Sequence, residues 1–365
     1  MKLIAHGFPV RLVALLAACG LPLSSLGAAE TDPVLERIME ACVKAKTPAA
    51  LKQIGPKFKN REEAAQLVQF ICRTQARVCM DKPDGDDCLK VLHDYRLGDP
   101  NYTPQLGASL YGAAERGASD IVRDLLANGF DPNWHNEVGW TPLMIAAAEG
   151  HKDTVALLLE AKANPNARNT FGRTALMYAS KYGFISIVKM LLEAGADPNV
   201  RPKKIDDQTA LIAASEQGHL EVVLALLGHG ADANIEIIYG YSPLSAAVGK
   251  DYANIVNALL KARADPNQKN TFGNSPFLLA ISAGHTEIVK LMLESGANPD
   301  SKNVISNTAL MIASLRGNMD IVKVLIAKGA EVNALNMMGR SAITMAKDGG
   351  YDIVIEILRQ AGATE

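Results

Sequence analysis

A block of about 33 residues recurs eight times between Gln105 and Glu365, and it leaves this chain little choice of fold. Each copy carries a small hydroxyl residue near its start: Ser109, Thr141, Thr174, Thr209, Ser242, Ser275, Thr308 and Ser341. The successive gaps are 32, 33, 35, 33, 33, 33 and 33 residues. A unit of that length cannot enclose a core by itself. Repeated at a fixed period, it buries its apolar face against its neighbours and builds a solenoid.

The clearest copy runs from Gly139 through Trp140, Thr141 and Pro142 to Gly150 and His151, then an apolar run, then Ala163 to Ala167. Its residues spell two short helices. Thr141 is suited to cap the first, and Pro142 to open it where no N–H is needed. Ala146 and Ala147 allow close helix approach. Thr154 to Leu159 supply an apolar stripe for the second helix. Gly129, Gly195, Gly230, Gly296 and Gly329 follow second helices, where a left-handed residue ends the turn.

This pattern resembles the ankyrin repeat, whose signature is a turn, T-P-L-H-x-A, a first helix, a Gly-His step and a second helix. The likeness covers about 70% of the chain. The Gly-His step recurs at Gly150-His151, Gly218-His219 and Gly284-His285, and the closing loop at Ala196 to Asn199, Ala231 to Asn234 and Ala264 to Asn267. The resemblance implies an all-α solenoid, with repeats at 107–138, 139–171, 172–206, 207–239, 240–272, 273–305, 306–338 and 339–365. It also implies that each His bonds backbone within its turn. The signature histidine of T-P-L-H is absent. Met144, Met177, Met311 and Ser245 stand there instead, which predicts looser loops. The extra residues around Arg201 to Asp206 belong at a hairpin tip. The first and last copies read as caps, the last without its closing loop.

Residues 1–29 read as an export signal. Lys2 and Arg11 supply the positive start, and Leu12 to Ala18 begin the apolar stretch. Pro22, Ser24 and Ser25 interrupt it before it reaches membrane-spanning length. Two processing outcomes stay open. Leu16-Ala17-Ala18-Cys19 is similar to a bacterial lipobox, which implies removal of 1–18, a lipid on Cys19 and a tether over 20–32. Gly27-Ala28-Ala29 suits ordinary cleavage before Glu30. Both outcomes place the protein in the periplasm of a bacterium, anchored or free.

Residues 31–104 read as a small helical domain. Cys42, Cys72, Cys79 and Cys88 lie there, and the repeats hold no cysteine. An even count outside the cytoplasm predicts two disulfides. Cys72 and Cys79 sit on one expected helix, about 10 Å apart along its axis, too far to join. The pairing is then Cys42–Cys72 with Cys79–Cys88, or Cys42–Cys79 with Cys72–Cys88. Their spacing lacks the C-x-x-C pairs of zinc modules. The acidic run Asp81 to Asp87 lacks the alternation of a calcium loop and reads as a polar turn.

No nucleophile elbow, phosphate-binding glycine loop, metalloprotease helix or dinucleotide fingerprint occurs. The chain is therefore expected to be non-catalytic, with no cofactor and no metal. Its net charge of −2 and the lack of basic runs argue against nucleic acid as partner. Membrane contact is expected only through a lipid at Cys19.

The resemblance instead implies a protein ligand held on the concave face, by hairpin tips and first helices. Matching positions hold Trp140, Glu149, Phe171, Arg173, Lys181, Tyr182, Tyr239, Tyr241, Phe272 and Arg316. Aromatic residues and arginine are the usual anchors of interfaces. Exported ankyrin proteins suggest an inhibitor or immunity protein against a secreted toxin. An envelope stress-protection scaffold and a host-directed effector are the alternatives.

Overall fold

In a computed structural model the described residues are 103–203 and 208–364. The chain divides into two compact units, 1–109 and 110–365, and of the first only residues 103–109 are described. The export signal, Cys19, the four other cysteines, the acidic turn and most of the inserted loop lie outside the described residues.

The described residues contain sixteen α-helices and no strand. The helices follow one another as α1 (Thr103–Glu115), α2 (Ser119–Ala127), α3 (Pro142–Glu149), α4 (Lys152–Glu160), α5 (Ala175–Tyr182) and α6 (Ile185–Glu193). Next come α7 (Ala210–Gln217), α8 (Leu220–Gly228), α9 (Pro243–Gly249), α10 (Ala253–Lys261) and α11 (Pro276–Ala283). The last are α12 (Thr286–Glu294), α13 (Ala309–Leu315), α14 (Met319–Ala327), α15 (Ala342–Gly349) and α16 (Asp352–Gln360). They form eight consecutive pairs. First helices pack on first helices from α3 to α15, and second helices on second helices from α2 to α16. The result is two parallel rows, with a hairpin leading into α3, α5, α9, α11, α13 and α15 among the described residues.

Local chemistry starts each first helix. The side chains of Thr141, Thr174, Thr209, Ser242, Ser275, Thr308 and Ser341 each accept the N–H three residues on. That satisfies one of the orphan donors every helix start carries. Alanines at the helix contacts, such as Ala146, Ala147, Ala179 and Ala214, are fully buried and let the rows close up. Leu158, Leu191, Leu226 and Leu259 fill the space between rows. One continuous apolar core runs from Leu110 to Leu358.

Neighbouring pairs are tied by one residue per repeat, at the end of each closing loop. Asn166 donates from Nδ2 to the Gly195 carbonyl (2.9 Å) and accepts the Asp197 N–H at Oδ1 (2.8 Å). Asn199, Asn234 and Asn267 repeat both bonds on the next pair, as does Asn333 at the end. Position 300 differs. Asp300 accepts the Glu331 N–H at 2.7 Å, but a carboxylate has no N–H to give the Gly329 carbonyl.

A second tie lies over the first-helix ends. Gly150 has φ 81, and a Cβ there would meet the Phe184 ring of the next pair at 2.8 Å. Glycine is required both for the left-handed turn and for the ring above it. At Asp251 (φ 59) the glycine is lost, and His285 Nδ1 sits 3.2 Å from the carboxylate instead.

Two expectations change in the structure, those for the histidines and for the last closing loop. His151 and His219 reach back to carbonyls of the preceding pair, Glu115 (2.9 Å) and Lys181 (3.1 Å), rather than bonding within their own turn. Neighbouring hairpins, which lack the signature histidine, are joined by backbone hydrogen bonds. The Thr170 N–H donates to Val138 (3.1 Å), Lys203 to Phe171 (2.9 Å) and Thr271 to Tyr239 (3.2 Å), so the backbone supplies the bridge. The last pair keeps the start of a closing turn, because Asn333 bonds both Gly362 and Thr364.

Two stability predictions follow from these ties. Asp300→Asn restores the missing donor and should stabilise the stack by about 0.5–1.5 kcal/mol. A urea midpoint equal to or below that of the native protein would refute that reading of the ladder. Ser180, Ser215 and Ser314 share one repeat position, are fully buried, and their hydroxyls have no partner among the described residues. Ala147 occupies the same position in the second pair without loss of packing. Each Ser→Ala change should therefore raise stability by about 1 kcal/mol, read from the same unfolding curves.

Candidate functional site

The hairpins project from the first-helix row, and asparagine shapes them. Oδ1 of Asn136 accepts the N–H groups of Val138 (3.1 Å) and Trp140 (2.9 Å). Asn169, Asn270, Asn303 and Asn336 do the same in their own hairpins. This fold-back leaves the residue two beyond each asparagine at the tip. The fifth hairpin has Ile237 in place of asparagine. Ile237 and Tyr241 there pack on a small separate cluster of Ile212, Ile235 and Ala246.

The structure sorts the residues singled out from sequence into two sets. Trp140 is half-buried and its ring lies 4.5 Å from that of Tyr178 on the next first helix. The Arg173 guanidinium carbon sits 6.0 Å from the same Tyr178 ring, so Trp140 and Arg173 are brought together by a residue between them. Tyr241 donates its hydroxyl to Glu216 Oε1 at 3.2 Å, and Gln208 donates to Oε2 of the same carboxylate. Burial, and then the Glu216 charge, push the Tyr241 phenol up from its ordinary value. Phe171 is half-buried at its hairpin. Much of the surface of Trp140, Tyr241 and Phe171 is thus held against the repeats.

The other set faces outward. Tyr239 is 57% and Phe272 60% exposed, and their rings sit 5.9 Å apart across adjacent hairpins. Tyr239 holds φ 60 and ψ 13, left-handed backbone that a tyrosine rarely adopts. Tyr182 is half exposed, with Lys181 Nζ 5.6 Å from its ring centre. Glu149 and Arg316 are exposed at the ends of α3 and α13.

Tyr239 and Phe272 belong to a longer row. Adding the 33-residue period reaches Ile305 and then Met338, which are 42% and 61% exposed. Val304 and Met337 beside them are exposed as well. Sequence reasoning that looked for aromatics and arginine missed these four. Their signal was the shared position two beyond the hairpin asparagine, not their residue type.

Among the described residues no group of three His, Cys, Asp or Glu side chains stands close enough to hold a metal, and no helix is long and apolar enough to cross a membrane.

Comparison with known proteins agrees with the two-row stack. The family profile of ankyrin repeats, built on three copies, matches residues 110–202, 200–270, 245–336 and 277–364. The ankyrin repeat domain of human ASB11 superposes with a TM-score of 0.52 at 24% identity, over 61% of this chain and 98% of that one. At that identity the likeness is one of fold. No curated protein matches the chain. Ankyrin stacks of this kind are protein-binding scaffolds, typically without catalysis, and with the profile covering residues 110–364 this chain belongs to the ankyrin repeat family.

Proposed function

We propose that this chain is a non-catalytic module of eight ankyrin repeats that holds another protein on the side formed by its hairpins and first helices. The row Tyr239, Phe272, Ile305 and Met338 carries the proposal. Four large apolar side chains, one per repeat at one register, stand 42–61% exposed. Folding gains little from residues placed there, and contiguous exposed apolar surface marks interaction sites. Tyr239 also occupies its place at a backbone cost of about 1–2 kcal/mol for a residue other than glycine. Strain retained at an exposed aromatic favours a role in contact over one in packing.

Further hairpin and first-helix positions hold Glu149, Phe171, Arg173, Lys181 and Tyr182 in earlier repeats and Arg316 beside the row's own repeats. Trp140 and Tyr241 supply a firmer floor that is partly committed to the stack. The module works outside the cytoplasm of a bacterium, exported by residues 1–29 and either lipidated at Cys19 or cleaved before Glu30. Cys42, Cys72, Cys79 and Cys88 form two disulfides in that compartment. A rigid binding surface sent to the envelope suits an inhibitor or immunity protein that masks a secreted toxin.

Two measurements test these readings. Affinity purification from envelope extracts, with mass spectrometry, should return a protein that the Tyr239→Ser/Phe272→Ser double variant loses. Its affinity should fall by more than about tenfold while the unfolding midpoint stays put, because both side chains are exposed. Trp140→Ala should instead lower the midpoint, since it strips the Tyr178 contact. A partner retained by the double variant would move the interface elsewhere. Thiol alkylation and intact mass of the envelope protein should show no free thiol, and a lipid-bearing Cys19 or an N-terminus at Glu30. Free cysteines or an uncleaved chain would sink the export reading.

A further inference from the structure

The overall charge of −2 conceals a separation between the two sides of the stack. From Trp134 onward, each repeat divides into a hairpin with its first helix, the front, and a second helix with its closing loop, the back. The described front residues hold 11 Lys and Arg against 5 Asp and Glu, a balance of +6. The back residues hold 9 Lys and Arg against 15 Asp and Glu, a balance of −6. Because all first helices lie in one row and all second helices in another, these balances fall on different surfaces instead of cancelling locally.

The positive balance coincides with the apolar row. From Gln268 to Gly349 the front holds Lys269, Lys302, Arg316, Arg340 and Lys347 against the single acid Asp348, which is ion-paired to Arg340. Lys269 and Lys302 each immediately precede a hairpin asparagine, so they flank Phe272 and Ile305 repeat after repeat. Arg168 and Arg201 hold the same register earlier in the stack, because the Lys203 N–H meets Phe171 as the Thr170 N–H meets Val138, and Glu236 is its one acidic member among the described residues.

We propose that the front of the last three repeats takes an acidic protein segment bearing apolar side chains. Resting on the protein-binding reading above, this names the chemistry of the partner. Its apolar groups seat on Phe272, Ile305 and Met338, and its carboxylates lie beside Lys269 and Lys302. Apolar contact supplies affinity, and complementary charge supplies approach rate and register. The negative back repels the same segment, so one side of the stack is selected. Nucleic acid would find no apolar match for Ile305 and Met338 on its phosphate backbone.

Selection of a random phage-displayed peptide library against the full chain tests this. Enriched peptides should be rich in Asp and Glu interleaved with aliphatic or aromatic residues. Their synthetic versions should lose at least tenfold in affinity for Lys269→Glu/Lys302→Glu and for Phe272→Ser/Ile305→Ser, with circular dichroism unchanged. About 0.5 M added salt should weaken binding to the native protein by about tenfold, through screening of exposed charges. Neutral or basic peptides that still depend on Phe272 would overturn the acidic partner and leave the protein-binding reading intact. No enrichment, or binding indifferent to both double variants, would overturn both. Phe272-dependent binding to phosphatidylglycerol vesicles or to duplex DNA, with no acidic peptide enriched, would assign the surface to a polyanion instead.

Discussion

Among the described residues each repeat packs its helices on the repeat before it and the repeat after it, so every junction must hold largely by itself. The bond pair made by one closing-loop asparagine is the smallest unit that meets this demand. Its amide donates to a carbonyl of the next pair and accepts an N–H from it, so one side chain satisfies two backbone groups across the junction. Rings stacked over left-handed glycines do the same work above the first helices. Where either device changes, Asp300 keeps only the accepting bond of its tie, and Asp251 replaces the glycine-and-ring packing with a contact between its carboxylate and His285. In a globular core a weak contact is shared among many neighbours. In a linear stack it is borne at one place.

This division of labour explains why the hairpin tips can carry unusual residues. Caps, small helix contacts and inter-row leucines supply the stability, and the tips add little to it. An exposed methionine there costs the fold about as much as any surface change, and the left-handed tyrosine adds only its own backbone cost of about 1–2 kcal/mol. Trp140 and Tyr241 show the opposite case. Both occupy the position just before a first-helix cap, where the side chain falls against the neighbouring repeat. Trp140 meets Tyr178, and Tyr241 meets Glu216. Two aromatics at one end of a hairpin are thus partly structural, while Tyr239 and Phe272 at the tips stand largely in solvent.

Much of this was legible in the residues. The 33-residue period, the Thr and Ser caps, the alanine contacts and the glycines after second helices all report local needs that recur in register. The inter-repeat direction of the histidine bonds was not legible, because a Gly-His step looks the same whether the ring turns inward or reaches back 36 residues to Glu115. Nor was the apolar row. Val304, Ile305, Met337 and Met338 resemble core residues by type, and only their placement at the hairpin tip leaves them in solvent.

Sequence by itself determined the repeating unit, its two helices and the family, because those depend on caps, helix periodicity and turn residues acting within about 33 positions of one another. Tertiary structure alone decided which side chains remain exposed and how charge is distributed. Exposure is a property of the junction between repeats, where a residue such as Tyr178 arrives from 38 positions away to cover Trp140. The front and back charges alternate along the chain and appear balanced until the two helix rows draw them apart. Stacking turns an alternation in one dimension into a separation in three.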